Sequence, residues 1–292
     1  MTRPATVDAH HHLWQLDGAL DYGWLDAPAL ATIRRDYDPE DLAPLLRAEG
    51  IDQSVYVQTL ADRAETRRAL DLADRHPFMV GVVGWVDLQA DDCRDQLDEF
   101  RAHPKFVGVR HVVHDEPDPD WVVRPAVLRG LKVLEAAGVP FDLLFRPEHL
   151  RHVPTLARAC PDLPMVIDHL AKPPIRAGRD DGWAANLEVA ASFPNVWCKL
   201  SGMVTEADHR AWNAGDLQPY ADVALDLFGP DRLMFGSDWP VCELAATYDR
   251  VHQAARALMG GLSDAEAGAV FGGTATRFYR LGVASGASPA AG

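Results

Sequence analysis

The feature that most constrains the fold is a repeated alternation of short apolar runs with helix-like segments. The apolar runs are nearly continuous in Val, Ile, Leu and Phe, which is typical of parallel strands that are buried on both faces. We predict a strand for each of eight runs: 7–13, 53–59, 78–86, 106–113, 139–146, 164–172, 195–202 and 232–240.

Helical patterns such as PEDLAPLLRAEG and RPAVLRGLKVLEAAG lie between these runs, and several end in Gly or Pro. Eight strand–helix repeats predict an α/β fold of the (β/α)₈ TIM-barrel type. A doubly wound open sheet is the competing architecture, but no predicted strand is followed by a GxGxxG turn. The 292 residues suit one barrel, which commonly has about 250. We therefore expect a single domain over residues 1–282 and a flexible tail, VASGASPAAG, over residues 283–292.

Composition and charge exclude several classes of partner. The formal net charge is −15 and the chain has no Lys/Arg block, so we expect neither nucleic acid nor an anionic membrane as a partner. No apolar run approaches the roughly 18–20 residues of a membrane span, and no signal-peptide segment precedes the first strand. The four cysteines show no CxxC spacing, which favours free thiols in a reducing compartment. The sequence thus predicts a cytoplasmic protein.

Polar residues at the carboxyl ends of the predicted strands are the candidates for function, because the loops that follow these ends build the pocket of a barrel. In VDAHHHLW, His10 and His12 leave the strand on the same face, whereas His11 points the other way. Two imidazoles on one face can bind one metal ion or one substrate oxygen. The alternatives are a cluster of structural histidines and a histidine tag, for which three histidines inside a strand are too few.

Two further polar residues end predicted strands elsewhere in the chain. Asp238 in FGSDWP closes the last apolar run, where an isolated carboxylate is costly unless it is paired. His169 in VIDHLAKP ends the sixth run. A turn-forming role for Asp238 and a hydrogen-bonded structural role for His169 are the alternatives. In a barrel, however, both would converge with the histidine pair at one mouth, which indicates a functional site.

Basic and aromatic residues near the strand ends give weaker signals. Basic side chains there could bind a carboxylate or an oxyanion, or pair with the many acidic residues; they are Arg110, Arg146, Lys172 and Lys199. Tryptophans beside the site could stack on a sugar face or simply pack at the barrel rim. The candidates for substrate binding are Arg110, His111, His114, Gln58, Lys199 and Trp14.

The motifs VDAHHHLW, GVRHVV, VIDHLAKP, KLSG and FGSDWP, in that order, resemble the amidohydrolase superfamily over residues 7 to about 281. The similarity is to its amidohydrolase-2 branch, which contains sugar-lactone and pyrone-dicarboxylate lactonases, and most of all to the L-fuconolactonase and L-rhamnonolactonase type. The resemblance implies a (β/α)₈ barrel. In it, His10 and His12 take the HxH positions, Asp238 the last-strand Asp, His169 the DHLAKP histidine and Arg110 the GVRH arginine.

The resemblance also bears on cofactors. No lysine that could be carboxylated ends the fourth or fifth predicted strand, so a binuclear metal centre is not expected. One divalent, Zn²⁺-like ion held by His10, His12 and Asp238 stays open, as does catalysis without a metal. No organic cofactor is expected.

The resulting hypothesis is hydrolysis of a neutral, hydroxyl-rich aldonolactone to its sugar acid, with a small sugar lactone as the partner and the oligomeric state left open. Asp238 would act as the general base towards water. His10, His12, Arg110 and any bound metal would stabilise the oxyanion, and His169 would orient the water or stabilise the oxyanion. The alternatives are a metal-dependent decarboxylase or hydratase of the same branch, a pyrone-dicarboxylate lactonase, and a non-catalytic sugar-binding barrel.

Overall fold

The computed structural model describes residues 5–16, 18–178 and 181–282. Eight parallel strands lie side by side in chain order in one sheet. They are β1 (Val7–His11), β2 (Gln53–Val57), β3 (Met79–Gly84), β4 (Phe106–His111), β5 (Phe141–Leu143), β6 (Met165–Ile167), β7 (Val196–Leu200) and β8 (Leu233–Phe235). The predicted (β/α)₈ barrel is confirmed. The predicted tail at 283–292 lies outside the described residues, and the domain boundary at 282 stays a prediction.

The barrel closes between β1 and the residues that follow β8. The backbone N–H of Asp238 donates a hydrogen bond to the carbonyl of His10 at 2.9 Å, and that of His12 donates to the carbonyl of Trp239 at 2.7 Å. Because this closure uses residues beyond the end of β8, it places Asp238 directly beside His10 of β1 and His12, which follows the strand.

Each strand is shorter than its predicted run, and for three of them the difference is large enough to correct the sequence interpretation. β5, β6 and β8 have three residues each, whereas the apolar runs 139–146, 164–172 and 232–240 predict much longer strands. The chain leaves the strand conformation at His169 and Asp238, where φ is +54° and +57°. A loop buried over the end of a barrel is as apolar as a buried strand, so the apolar run continues past the strand. His169 and Asp238 therefore lie in loops.

Helices cover the outside of the barrel. They are α1 (Pro39–Ala48), α2 (Arg63–Arg75), α3 (Cys93–Arg101), α4 (Pro125–Ala137), α5 (Val153–Ala159), α6 (Asp181–Ala191), α7 (Met203–Glu206), α8 (Ala214–Phe228), α9 (Tyr248–Leu258), α10 (Asp264–Gly268) and α11 (Thr274–Phe278). Local signals set their ends: Asp38 and Asp41 form a capping box at the start of α1, and left-handed Gly138 ends α4. Over the described ranges, no helix has both the length and the apolar character needed to cross a bilayer.

The long segment between β1 and α1 is tied to the loop that follows β8. Trp14 and Tyr37 exchange backbone hydrogen bonds at 3.2 and 2.9 Å, and the Trp14 ring packs edge-on against Trp24. Glu243 accepts hydrogen bonds from the Tyr37 hydroxyl at 2.7 Å and from the Trp239 indole at 2.8 Å. The segment therefore buttresses the loop in which Asp238 lies.

Candidate active site

The four residues predicted to be catalytic meet at the carboxyl end of the barrel. The Nε2 atoms of His10 and His12 lie 3.2 Å apart. Oδ1 of Asp238 lies 3.9 Å from the first, 3.4 Å from the second and 3.7 Å from Nε2 of His169. Each of the four side chains is at most 5% exposed. His11 points the other way, with Nε2 at 3.0 Å from a serine hydroxyl of β2.

A buried carboxylate and one close approach hold β1 against the loop that follows β8. Asp8 accepts the backbone N–H of His10 at 3.2 Å and that of Ser237 at 2.8 Å. A Cβ at Gly236 would lie 2.6 Å from the Cβ of His10, so only glycine permits this approach. These contacts fix Asp238 beside the histidines. Asp8 was not among the predicted site residues, although an acidic residue inside an apolar run is a visible signal.

An unusual turn holds His169. Residues 169–172 all have φ between +53° and +57°, and the N–H of Lys172 donates to the carbonyl of His169 at 2.7 Å. Nδ1 of His169 lies 2.8 Å from the Ser201 hydroxyl. A Cβ at Gly202 would lie 2.6 Å from the imidazole ring, so the ring packs directly on the backbone of Gly202. The loops after β6 and β7 thus fix the ring with Nε2 towards Asp238.

A buried ion cluster lies against His10. Nζ of Lys199 lies 2.6 Å from Asp142 and 2.9 Å from Asp168, and 3.1 Å from Nδ1 of His10. Nη1 of Arg110 lies 3.1 Å from Asp168 and 3.3 Å from Nε2 of His10. The negative charges of the two carboxylates are therefore balanced by the positive charges of Lys199 and Arg110, as the burial of charged groups requires. Asp142 and Asp168 were not among the predicted site residues, although each interrupts an apolar run (FDLLF and VIDHL).

Burial and neighbouring charges set the protonation of the site. Burial lowers the pKa of His10 well below 6.5, and the Lys199 ammonium lowers it further. Burial also lowers the pKa of His169 to about 4. For Asp238, burial alone would raise the pKa, but His169 and a hydrogen bond from His12 hold it below 3.8. At neutral pH the site therefore combines an ionised carboxylate with the neutral imidazoles of His10 and His169.

The residues present fit one divalent metal ion. Two sets of side chains could supply ligand atoms, namely His10, His12 and Asp238, and His10, Asp168 and His169. Atoms of the first set lie 3.2–3.9 Å apart, close to the edges of about 3.3–3.6 Å of a tetrahedral site with bonds of 2.0–2.2 Å. Nδ1 of His12 lies 2.7 Å from the Val57 carbonyl, so this nitrogen carries the proton and Nε2 offers a lone pair.

Three of the predicted substrate-binding residues keep polar atoms near the site. Arg110 contacts His10, as described above. Gln58 is fully buried and donates to the carbonyl of Arg110 at 2.9 Å, while its Oε1 has no partner in the described part of the chain. Nδ1 of His114 is likewise buried and unpaired there. Burial and nearby cations lower the pKa of His114 to about 2, so it is a neutral imidazole.

The other three predicted substrate-binding residues have their polar groups engaged within the protein, and their contact with substrate stays a prediction. Lys199 is fully buried within the ion cluster. Nδ1 of His111 accepts the Trp85 indole N–H at 3.0 Å and its Nε2 lies 2.6 Å from Glu116, so both ring nitrogens are in use. Trp14 is fully buried, and its indole donates to a backbone carbonyl at 2.8 Å. Each of these side chains therefore stabilises its surroundings through contacts within the protein.

Comparison with known proteins places the chain among its relatives. The family model described as amidohydrolase matches residues 7–281. The L-fucono-1,5-lactonase of Burkholderia ambifaria is 39% identical over 287 residues, covering 96% of this chain and 97% of that protein. The L-fucono-1,5-lactonase of Burkholderia multivorans is 41% identical over 286 residues, covering 94% of this chain and 96% of that protein.

Solved structures agree with these sequence matches. A crystal structure of an amidohydrolase from Burkholderia multivorans with bound zinc has a TM-score of 0.90 and 39% identity, covering 95% of this chain and 99% of that chain. The resemblance inferred from the five motifs is therefore confirmed. The chain belongs to the amidohydrolase family.

Proposed function

We propose that this chain hydrolyses a sugar-derived aldonolactone, of the L-fucono- or L-rhamnono-lactone type, to the sugar acid. The observation that carries the proposal is the position of Asp238, an ionised carboxylate that faces three imidazoles at the carboxyl end of the barrel. The two L-fucono-1,5-lactonases, at 39% and 41% identity over nearly the whole chain, support this reaction and this substrate class. The cytoplasmic location stays a prediction.

Asp238 serves as both base and acid in the proposed reaction. Its ionised Oδ1 takes a proton from the water that attacks the lactone carbonyl. Neutral His169, with Nε2 at 3.7 Å from that oxygen, orients the water. When the tetrahedral intermediate collapses, protonated Asp238 returns the proton to the ring oxygen, which leaves as a hydroxyl group of the sugar acid. One carboxylate therefore completes the proton transfers of the cycle.

The oxyanion of the tetrahedral intermediate needs positive or hydrogen-bonding partners. Arg110 supplies a cation beside His10, at 3.3 Å from its Nε2. A divalent ion held by His10, His12 and Asp238 would supply Lewis acidity to the same carbonyl. Because an ester leaving group departs more readily than an amine, we propose that a metal assists the reaction but is dispensable.

A pH-indicator screen of aldonolactones, with and without chelator, tests the function. We expect acid release from L-fucono-1,5-lactone, and a loss of about 10²–10⁴-fold in kcat for Asp238→Asn without a change in melting temperature. Asp231→Asn is the control, because Asp231 lies just before β8 with its side chain 81% exposed. Acid release from no lactone, or near-normal activity of the Asp238 variant, would refute the proposal. Activity that survives chelation separates the lactonase from a metal-dependent decarboxylase or hydratase.

A further inference from the structure

Two oppositely charged side chains stand beside the proposed site and have no role in the reaction proposed above. Lys172 ends the left-handed turn that begins at His169. Glu206 ends α7, which begins just after Gly202, the glycine that packs on the His169 ring. The two loops that fix His169 therefore also carry these charges. We call Lys172 and Glu206 the mouth pair.

The mouth pair is close but not hydrogen-bonded. Nζ of Lys172 and Oε1 of Glu206 are 3.8 Å apart, beyond the roughly 2.7–2.9 Å of a charged hydrogen bond. The side chains are 24% and 27% exposed. Neither charged group makes a hydrogen bond within residues 5–16, 18–178 and 181–282. Lys199 gives the contrast, with Nζ at 2.6 Å from Asp142. The mouth pair thus keeps hydrogen-bonding capacity that the buried ion cluster has already used.

The charges of the mouth pair act on the charged group of the site. Lys172 is near enough to lower the pKa of Asp238, alongside the larger effects of burial, His169 and His12. Burial raises the pKa of Glu206 against the opposing charges of Lys172 and Arg146, and the Asp238 carboxylate adds to the rise. The turn that carries Lys172 and the helix that carries Glu206 both adjoin His169, whose Nε2 lies 3.7 Å from Asp238, so a substrate held over Asp238 would lie beside both segments.

We infer that the mouth pair binds hydroxyl groups of the lactone ring and so makes the enzyme select polyhydroxylated lactones, an inference that rests on the proposed lactonase function. A hydroxyl group is both a donor and an acceptor. Glu206 accepts its O–H, and Lys172 donates to its oxygen or to that of the adjacent hydroxyl. One hydroxyl oxygen at about 2.8 Å from each charged atom spans the gap between them.

The hydrogen bonds from the mouth pair to the ring hydroxyls form in the enzyme–substrate complex as well as in the transition state. Removing them should therefore raise KM more than it lowers kcat. Hydrogen bonds to charged groups imply a loss of about 10–100-fold in kcat/KM for each side chain removed. A ring without hydroxyl groups makes no such bonds and should not respond. The mouth pair therefore predicts a substrate-dependent effect, which a general loss of stability or of catalysis would not produce.

The experiment compares Lys172→Met and Glu206→Ala with the wild type on two substrates. L-Fucono-1,5-lactone carries ring hydroxyls, whereas δ-valerolactone has a six-membered lactone ring with none. We expect kcat/KM for the first to fall about 10–100-fold, mainly through KM, while that for the second changes less than about twofold. If δ-valerolactone turns over too slowly, its inhibition constant against the first substrate replaces kcat/KM. Glu99→Gln is the control, because Glu99 is also ion-paired and its side chain is 33% exposed.

The outcomes separate the inference from the function on which it rests. If the wild type opens L-fucono-1,5-lactone and the variants slow both lactones equally, or slow neither, the hydroxyl-binding role is refuted and the lactonase function stands. If the wild type opens neither lactone, the proposed function fails and the inference fails with it. Melting temperatures of the variants identify any that are misfolded, and in that case Glu206→Gln repeats the comparison.

Discussion

Replacing Gly202 with alanine should displace His169 and slow the enzyme. The new Cβ would lie 2.6 Å from Cγ and Nδ1 of the imidazole, where ordinary contact begins at 3.4 Å, so the ring must retreat by about 0.8 Å. A misplacement of about 1 Å can cost on the order of 10²-fold in rate. The retreat would also stretch the 2.8 Å contact with Ser201. We therefore expect Gly202→Ala to lower kcat/KM for L-fucono-1,5-lactone by about 10²-fold.

A second glycine separates this displacement from the cost of the backbone conformation. Gly202 and Gly50 have φ of +62° and +67°, but a Cβ at Gly50 would have no neighbour within 4 Å. Alanine in this conformation costs about 1–2 kcal/mol at either position. Urea unfolding should therefore show a similar decrease in the free energy of unfolding for Gly202→Ala and Gly50→Ala, whereas only Gly202→Ala should lose activity. Equal activity losses, or full activity of Gly202→Ala, would refute the reasoning.

Three other perturbations follow from the site. Lys199→Met leaves two carboxylates buried without their shared cation. Urea unfolding should therefore show that the free energy of unfolding falls by about 3–5 kcal/mol. The control Lys132→Met, at an exposed position, should leave it almost unchanged. The pKa of His169, about 4, lies below that of an unfolded histidine, so the unfolded state binds the proton first as the pH falls below 6.5. Between pH 7 and pH 5, the free energy of unfolding of the wild type should therefore fall by about 2 kcal/mol more than that of His169→Asn. Equal decreases for the two proteins would contradict this. Calorimetry should find one zinc ion per wild-type chain and much weaker binding by His12→Ala; unchanged binding would exclude His12 as a ligand.

The barrel could be predicted because its strands are buried on both faces, which leaves a direct mark on the sequence. The runs at 106–113 and 195–202 contain the whole of β4 and β7. The shared direction of the His10 and His12 side chains could be predicted from strand geometry alone, because alternate residues of an extended chain point to the same face. Asp238 was identified because a carboxylate at the end of an apolar run is costly, a cost that is independent of the loop's exact conformation.

The partners of these residues could not be predicted, because they come from distant strands. Asp142 reaches Lys199 across 57 positions of the chain, and Lys199 reaches His10 across 189. Without those contacts, Lys199 looked like a residue available to a substrate. The same holds for His111, whose two ring nitrogens are in use by Trp85 and by Glu116. The position of a residue in the sequence indicates that it lies near the end of a strand, but not which side chains from other strands contact it there.

The left-handed turn that holds His169 has a consequence for the evolution of this fold. Four consecutive residues at 169–172, none of them glycine, adopt a conformation that costs about 1–2 kcal/mol each, roughly as much in total as the net stability of many domains. Ala171→Gly should relieve part of that strain and raise the melting temperature, while it loosens the imidazole. Selection for heat resistance would then favour substitutions that selection for turnover removes, so this short turn marks a trade-off between robustness and activity.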